Sequence, residues 1–335
     1  MTNSKQLTIN AGGKLLSFEQ PRVMGILNVT PDSFYAGSRT PGVDEIRQRA
    51  QRMADEGADM IDVGAYSSRP GAADVSPQEE MERLRMALPV IRSVCPHIPL
   101  SVDTFRADVA RMCVEECGAD IINDISGGQL DRNMFRTIAH LKVPYILMHM
   151  RGTPADMQQF TGYEHLEREV MLYFAQRVRH LHDLGVSDVI LDPGFGFAKT
   201  LEQNYDLLQH LDDLQVFGLP VLAGLSRKSM VYKLLGITPE EALNGTTALH
   251  MAALERGADI LRCMMYRRPY RSWRSIVRFA AIQIHEGESR KKKGFGQKCL
   301  NPRFCKKRGL FDFFVVNIFT LLGWKNLFAV SGTSV

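Results

Sequence analysis

The chain repeats one short phrase, Glu56-Gly57-Ala58-Asp59-Met60-Ile61, almost unchanged. Near copies occur at 117–122 and 256–261, and a looser one occurs at 184–190. Each copy follows a stretch with helical periodicity and precedes an apolar run, and its glycine falls where a helix needs a left-handed residue after its last turn. We interpret the copies as helix-to-strand joints. Joints of one kind used four times predict repeated βα units and a parallel sheet.

Further apolar runs at 22–27, 99–102, 145–149 and 220–223 supply the remaining strands. The resulting eight βα units predict a closed (β/α)8 TIM barrel. An open doubly wound sheet is the alternative, but no Gly-x-Gly-x-x-Gly follows the first strand, and about 250 residues suit a barrel. Two helix starts are predicted at Ser76-Pro77-Gln78-Glu79 and Thr238-Pro239-Glu240-Glu241, because each offers a capping residue, a proline and a glutamate.

The formal charge is unevenly distributed along the chain. The 335 residues carry +4, but from Cys263 onward 15 Lys and Arg stand against 3 Asp and Glu, which gives +12 for the tail and −8 for residues 1–262. Both tryptophans, Trp273 and Trp324, lie in the tail. We predict a barrel domain at 1–262 and an atypical basic tail at 263–335, poorly ordered apart from a helix near 271–285 in place of the last barrel helix.

Composition also limits the classes of binding partner that we expect. The barrel is acidic and the basic clusters of the tail are interpreted as random sequence, so we expect no nucleic-acid partner. The apolar run at 311–322 is too short to span a bilayer, so we expect no membrane partner. No apolar signal segment opens the chain, which predicts a cytoplasmic protein. The six cysteines show no metal-ligand spacing and are interpreted as idle thiols.

Polar residues collect where the predicted strands end, whereas the opposite joints are plain Gly-Ala-Asp connectors. In the run Val189-Ile190-Leu191-Asp192-Pro193-Gly194-Phe195-Gly196-Phe197-Ala198-Lys199, a buried strand turns at once into an acid, a proline and two glycines. A carboxylate there is costly to desolvate unless something binds it, and the glycines permit a ligand to come close. An ordinary helix cap is the alternative reading of Asp192. The site of a barrel lies at these strand ends.

The acceptors at this end suit a flat heterocycle. Asp103, Asn123 and Asp192 would face several N–H donors along one ring edge, and Lys228 would donate to the ring from the opposite side. Ordinary capping or turn roles remain open for Asp103 and Asn123, and a solvated helix start remains open for Lys228. His149 is interpreted as a packed or hydrogen-bonded histidine rather than a catalyst.

Cations at the rim suit an anionic group. Arg69, Arg227 and Arg262 supply the charge that a diphosphate requires. Asn28 offers a neutral oxygen to Mg²⁺ if the phosphates provide most of the coordination. The sequence shows no Ser/His/Asp set, no Cys/His pair and no His-x-x-x-His metal box.

Six motifs, in order between about residue 20 and Arg262, resemble those of the dihydropteroate synthase family. They are Gly25-Ile26-Leu27-Asn28-Val29-Thr30-Pro31-Asp32-Ser33-Phe34, Ser67-Ser68-Arg69-Pro70-Gly71, Asp103-Thr104, Asn123-Asp124-Ile125, Asp192-Pro193-Gly194-Phe195-Gly196-Phe197 and Ser226-Arg227-Lys228-Ser229. The resemblance implies a folate-pathway transferase. It would join 6-hydroxymethyl-7,8-dihydropterin diphosphate to 4-aminobenzoate and release diphosphate and 7,8-dihydropteroate.

The resemblance also assigns roles to individual residues. It implies that Asn28 binds Mg²⁺ with the diphosphate and that Phe195 flanks the pterin ring. The residues that would hold the pterin are Asp103, Asn123, Asp192 and Lys228. Ser68, where the family more often has threonine, and Arg69 would lie near the diphosphate, and Pro70 and Ser229 would line the aminobenzoate pocket. Mobile loops would close the site at 30–34 and 69–71.

The implied catalytic residues are Asp103, Lys228 and Arg262. An arylamine is a nucleophile at neutral pH, so the difficult step is departure of the diphosphate. Mg²⁺ and the arginines would neutralise charge growing on that leaving group. The acidic ring pocket would stabilise positive charge on the pterin, which favours a dissociative, carbocation-like route.

The family pattern stops after Arg262. Family members continue as Arg-Val-His-Asp-Val, with arginine and histidine both serving the diphosphate, whereas this chain continues Cys263-Met264-Met265-Tyr266. The codons TGY-ATG-ATG-TAY regroup one base earlier as NTG-YAT-GAT-GTA, which can encode Val-His-Asp-Val. We interpret residues 263–335 as an out-of-frame tail. Loss of the histidine at position 264 predicts weakened activity.

A non-catalytic pterin-binding barrel, or a methyltetrahydrofolate-type methyl-transfer module, is the alternative function. The motifs at 28–34 and 67–71 favour the synthase, since a methyl carrier has no diphosphate to hold. A homodimer through late barrel helices is expected if the altered tail permits it.

Overall fold

The computed structural model describes residues 7–29, 41–66 and 75–264. The strands in these residues are β1 (Thr8–Ala11), β2 (Lys14–Ser17), β3 (Arg22–Asn28), β4 (Met60–Gly64), β5 (Leu100–Asp103), β6 (Ile121–Asp124), β7 (Tyr145–Met148), β8 (Val189–Asp192), β9 (Leu222–Ala223) and β10 (Ile260–Cys263). The α-helices are α1 (Pro41–Asp55), α2 (Pro77–Val94), α3 (Ala107–Glu115), α4 (Met134–Leu141), α5 (Leu166–Asp183), α6 (Leu201–Gln209), α7 (Ser229–Leu235) and α8 (Leu243–Glu255), and short 3-10 helices lie at Met157–Gln159 and Leu211–Phe217.

Strands β3 to β10 form one parallel sheet that closes into a barrel. The strand order is β8-β7-β6-β5-β4-β3-β10-β9. A parallel bridge between Leu191 of β8 and Val221, beside β9, joins the two ends of this order. These are the eight strands predicted from the sequence, so the (β/α)8 barrel is confirmed and the open sheet is wrong. Of the predicted tail only Cys263, which ends β10, and Met264 are described; the helix expected near 271–285 lies outside the described residues.

The register of the sheet brings selected strand ends side by side. Asn28 pairs with Gly64, Gly64 with Asp103, and Asp103 with Asn123. Residues paired across parallel strands point to the same face, and the face alternates with a period of two. The register therefore places Asn28, Asp103 and Asn123 on one face at the carboxyl ends of three neighbouring strands.

One of the two predicted helix starts is correct. Ser76 caps α2, and its side chain accepts the Glu79 N–H at 3.2 Å, with Pro77 in the first turn. The start predicted at Thr238 is wrong, because α8 begins only at Leu243. The Glu241 carboxylate does accept the Thr238 N–H at 3.0 Å, which is one of the two hydrogen bonds of a capping box. However, the residues from Thr238 to Ala242 form consecutive turns, and the helix begins only after them.

An N-terminal hairpin, which the sequence analysis did not predict, closes the amino-terminal end of the barrel. β1 and β2 pair antiparallel around Gly12 and Gly13, whose φ angles of 58° and 78° favour glycine. Ile9 and Phe18 pack among residues at the starts of the barrel strands. That cluster consists of Ile9, Ala11, Phe18, Met24, Met60, Ile121, Ile146, Ile190, Leu222 and Ile260. Within the described ranges, no helix is both long and apolar enough to cross a membrane.

Candidate active site

A pocket of about 340 Å³ opens at the carboxyl end of the barrel. Its walls combine carboxylates and cations with aromatic and sulfur-containing side chains. The lining residues are Asp103, Asn123, Ile125, Met148, Asp192, Gly194, Phe195, Phe197, Gly224, Lys228 and Arg262. Such a mixed wall of polar and apolar side chains is typical of small-molecule sites.

Six of the predicted site residues line this pocket: Asp103, Asn123, Asp192, Phe195, Lys228 and Arg262. Asn28 ends β3, and Ser229 begins α7 directly after Lys228. Ser68, Arg69 and Pro70, and the predicted loops at 30–34 and 69–71, lie outside the described residues. The chain thus brings side chains from four strands and from the loops after β8 and β9 to one cavity, although they are up to 159 positions apart in the sequence.

Arg262 is held between two carboxylates. Its Nη2 lies 2.6 Å from Asp62 Oδ2 and 2.8 Å from Asp103 Oδ2, and its Nε donates to the same Asp62 oxygen at 2.7 Å. The Asp62 side chain is fully buried, and Asn123 Nδ2 donates to it at 3.0 Å. Charge-assisted bonds of this kind are strong and directional, so the three strands β4, β5 and β10 are locked together beneath the pocket.

Asp62 binds two of the pocket residues, Asn123 and Arg262, although the sequence predicted no role for it. It lies two residues before the end of β4, between the buried residues Ile61 and Val63. A period of two places it one layer below Gly64, on the face that points into the barrel. The sequence feature that could have identified Asp62 is an acidic residue inside an otherwise apolar strand. A buried carboxylate of this kind is costly unless it is paired.

Burial and pairing shift the pKa values of this network in opposite senses. Burial alone would lower the pKa of Arg262, but Asp62 and Asp103 outweigh it, so the pKa of Arg262 lies above its ordinary value. Burial raises the pKa of Asp103, which Arg262 partly offsets and Asp62 reinforces. The guanidinium therefore stays charged, and its two acidic neighbours share that one positive charge.

Asp192 and Lys228 form the opposite wall. Asp192 is 6% exposed and accepts the Gly194 N–H at 2.8 Å, which turns the chain immediately after β8. Burial raises the pKa of Asp192, and Lys228 is among the cations that oppose the shift. Burial lowers the pKa of Lys228 to about 8, and its Nζ lies 4.2 Å above the centre of the Phe197 ring. Lys228 is thus available as a cationic donor near neutral pH.

Asn28 stands beside this network. A Cβ atom built on Gly64 would lie 3.4 Å from Asn28 Oδ1 and 3.6 Å from the Asp103 Cβ, so the two side chains flank the same glycine. Among the described residues no group of three or more His, Cys, Asp or Glu is arranged to hold a metal ion. A single neutral oxygen suits Mg²⁺ only where a phosphorylated substrate and water complete the octahedron.

His149 lies behind the pocket rather than in its wall. It is 2% exposed, and its ring meets Tyr173 edge to face at 4.7 Å. Its Nδ1 lies 3.0 Å from the Nζ of Lys199. Lys199 is itself 3% exposed, and no role was predicted for it from the sequence.

A sequence model of the family described as pterin-binding enzymes matches residues 24–263. The chain belongs to the pterin-binding enzyme family. The match ends at Cys263, one residue beyond the point where the motif resemblance stops.

Known members of this pterin-binding family are similar over most of the chain. The dihydropteroate synthase of Synechocystis sp. is 44% identical over 245 residues, which cover 72% of this chain and 83% of the relative. That of Escherichia coli K12 is 40% identical over 256 residues, which cover 75% and 89%. The solved Xanthomonas albilineans dihydropteroate synthase with 4-aminobenzoic acid has a TM-score of 0.74 at 37% identity, covering 83% of this chain and 98% of that one. The predicted resemblance to this family is confirmed.

Proposed function

We propose that this protein is a dihydropteroate synthase. The observation that carries the proposal is the single pocket lined by Asp103, Asn123, Asp192 and Lys228 in a chain of the pterin-binding family. The two carboxylates and the amide oxygen match the N–H donors along the pyrimidine edge of a pterin, and the ammonium matches a ring oxygen or nitrogen. Buried acceptors of this kind reject ligands that lack the matching donors.

The amide of Asn123 is arranged for this task. Its Nδ2 donates to Asp62, whereas its Oδ1 is buried and accepts no hydrogen bond within the described residues. An amide nitrogen held in this way fixes the side-chain orientation, and it leaves the carbonyl oxygen for a ligand donor. We propose that Asn123 Oδ1 accepts one N–H of the pterin.

The proposed reaction is a substitution at the exocyclic methylene of the pterin. The C–O bond to the diphosphate breaks, the arylamine nitrogen bonds to the same carbon, and the nitrogen then loses one proton to solvent. Asp103 and Asp192 place negative charge beside the ring, which stabilises positive charge as the C–O bond lengthens. This distribution of charge supports the dissociative route.

Arg262 has a double role in this proposal. Its Nε and Nη2 bind Asp62 and Asp103, and within the described residues Nη1 makes no hydrogen bond to protein. Nη1 is therefore the proposed contact to the departing diphosphate. Ser68 and Arg69 are proposed to hold the same group, and Pro70 and Ser229 the aminobenzoate.

Asn28 is the residue proposed to hold Mg²⁺, through Oδ1. When bound, the ion would neutralise charge on the leaving group. An amide ligand keeps the site weak in the absence of substrate, because one or two protein oxygens do not replace the water shell of Mg²⁺. We therefore infer that the ion arrives with the diphosphate.

The decisive experiment is release of inorganic diphosphate. The purified chain is mixed with the dihydropterin diphosphate, 4-aminobenzoate and Mg²⁺, and diphosphate and dihydropteroate are measured together. Equal amounts of both products are expected, and Lys228→Met should reduce both. Tight pterin binding without diphosphate release would favour the non-catalytic barrel, and methyl transfer from methyltetrahydrofolate would favour the methyl-transfer module.

We also propose a cytoplasmic location and a homodimer through the late barrel helices. The location is supported by Cys95, Cys113, Cys117 and Cys263, which are free thiols, because disulfides are rare in reducing compartments. The excess of acidic residues in 1–262 supports the absence of a nucleic-acid partner. Sedimentation velocity of the full chain tests the dimer, and a monomer at micromolar concentration would contradict it.

A further inference from the structure

A buried cation lies directly behind one wall of the pocket. Lys199 is 3% exposed, and its Nζ donates to the carbonyl oxygens of Gly194 and Phe197, each at 3.1 Å. The same Nζ lies 3.0 Å from His149 Nδ1. Lys199 therefore contacts the backbone of the loop after β8 at two points and the end of β7 at a third.

The loop that Lys199 holds carries two pocket residues. Phe195 and Phe197 both line the cavity. Gly194, Gly196 and Ala198 all have left-handed backbone, with φ angles of 70°, 81° and 49°. A short loop rarely adopts a conformation with several left-handed residues unless its surroundings stabilise that conformation. Ala198 adds to the cost, because its Cβ disfavours a left-handed backbone. Lys199 supplies two of the hydrogen bonds that hold this loop. Asp192, which accepts the Gly194 N–H, and Asn204, which accepts the Gly196 N–H at 2.6 Å, supply others.

The charges around Lys199 come from three parts of the chain: the end of β8, the segment after β7 and the residue before α7. Burial lowers the pKa of Lys199 to about 7; Asp192 opposes the shift, and Lys228 and Arg151 reinforce it. Burial, followed by Lys199 itself, lowers the pKa of His149 well below its ordinary value, so this imidazole is neutral. A neutral imidazole that accepts at Nδ1 carries its proton on Nε2. Within the part of the chain that the structure describes, Asp192 is thus the one acid that shifts the pKa of this lysine, and it lines the pocket.

We propose that Lys199 is a positioning residue for pterin recognition. Its ammonium fixes residues 194–198 to His149 and places positive charge behind Asp192. Phe195, Phe197 and an ionised Asp192 are then in place before the ligand arrives, which reduces the cost of ordering them on binding. The inference rests on the proposed function, because it takes the ligand to be a pterin.

The first test is the affinity for 6-hydroxymethylpterin, measured by isothermal titration calorimetry on the full chain at pH 6.5. Lys199→Met keeps the length of the side chain and removes its charge and donors, and we expect at least tenfold weaker binding. Lys233→Met, at an exposed position in the last turn of α7, is the control and should stay within twofold of wild type. Binding by Lys199→Met within twofold of wild type overturns the inference.

The pH dependence separates positioning by charge from a merely structural contact. If pterin binding needs both protonated lysines, the wild-type affinity falls in two steps as pH rises, near pH 7 for Lys199 and near pH 8 for Lys228. Asp103, which lines the pocket and whose pKa burial raises to about 7, ionises in both proteins, so the difference between the wild-type and Lys199→Met profiles reports Lys199. Lys199→Met should lack the lower step and keep the upper one. A variant that only lowers the melting temperature and retains both steps would contradict the inference.

Two substitutions of His149 test the same contact between Lys199 and His149. His149→Gln keeps an acceptor for Lys199, whereas His149→Leu removes it, so we expect Gln to bind pterin more tightly than Leu by about fivefold or more. This pair decides the question if Lys199→Met does not fold. Equal binding by the two variants overturns the inference. Failure of the wild-type chain to bind any pterin would instead overturn the proposed function, and the inference with it.

Discussion

At the scale of single residues, the site is organised by charge sharing. Asp62 and Asp103 share the single charge of Arg262, and Asn123 is oriented by the same Asp62. Replacing one member of such a network changes the others, because the remaining charges stay buried and unpaired. Effects on binding and on rate therefore have to be measured separately.

Asp103→Asn tests the dissociative route. The substitution keeps the shape of the side chain but removes the negative charge that stabilises a cationic pterin, and it leaves Arg262 with one carboxylate. We expect the single-turnover chemical rate to fall about 100-fold, in line with the loss of one aligned charge. Pterin affinity should fall by about tenfold or less.

The matched control for Asp103→Asn is Asp108→Asn, at an exposed position in the first turn of α3. It makes the same chemical change outside the pocket and should leave both quantities unchanged. Equal losses of rate and of affinity in Asp103→Asn would count against the carbocation-like route.

At the scale of elements, function and stability are separated along the barrel axis. The β1–β2 hairpin packs Ile9 and Phe18 against the starts of the barrel strands, whereas the pocket lies where the strands end. This division is general in TIM barrels, because the βα loops can vary without disturbing the packed interior.

Ile9→Ala should lower stability without changing recognition. Ile9 is 1% exposed, and truncating it leaves a cavity at the base of the barrel, so we expect a loss of about 2–4 kcal/mol in the free energy of unfolding in urea. Pterin affinity should remain within twofold of wild type. Leu15→Ala is the control on the same hairpin; Leu15 is 77% exposed, and its loss should cost about 0.5 kcal/mol or less.

Gly194→Ala tests the loop after β8. Gly194 has a φ of 70°, and an added Cβ would lie 2.1 Å from the carbonyl oxygen of His149, a backbone atom that cannot move aside cheaply. We expect pterin binding to be lost. Gly118→Ala meets the same left-handed strain at a φ of 66° but has nothing within 4 Å, so it should cost only about 1 kcal/mol of stability and leave binding intact. Retained binding in Gly194→Ala would show that the loop can shift.

At the scale of the whole molecule, β10 is where the barrel sequence meets the proposed tail. β10 reaches Cys263, and the Met264 N–H lies 3.3 Å from Ser226 Oγ, beside the motif that carries Lys228. The proposal of an out-of-frame tail at 263–335 is tested by sequencing the coding DNA. Codons for 263–266 that cannot regroup to His-Asp would refute it.

Met264→His tests the consequence of the altered frame for catalysis. A histidine at this position would restore an anion contact, and one charge-assisted hydrogen bond is worth about 1.5–3 kcal/mol. We expect inhibition by inorganic diphosphate to become about tenfold tighter, and more so at pH 6 than at pH 8, because the imidazole must be protonated. Met264→Leu is the matched control. An equal gain in both variants would show that packing, and not the imidazole, is responsible.

The amino-acid sequence by itself determined the fold class and the charged and amide side chains that line the pocket. The repeated Gly-Ala-Asp joints specify βα units because a helix end and a strand start are local features, and polar residues at apolar strand ends stand out against a buried sheet. That reasoning reached Asp103, Asn123, Asp192 and Lys228. It failed at Thr238, where the capping residues are present but the chain makes turns before α8 begins.

Only the tertiary structure decided which side chains touch. Arg262 meets Asp62 and Asp103 across 200 and 159 positions, and Lys199 reaches His149 across 50. Partners so far apart depend on strand register, on barrel closure and on the reach of long side chains, and none of these is encoded within a short window of sequence. The hairpin at the barrel base was missed for the same reason, since two short strands are stable only against the cluster that covers them.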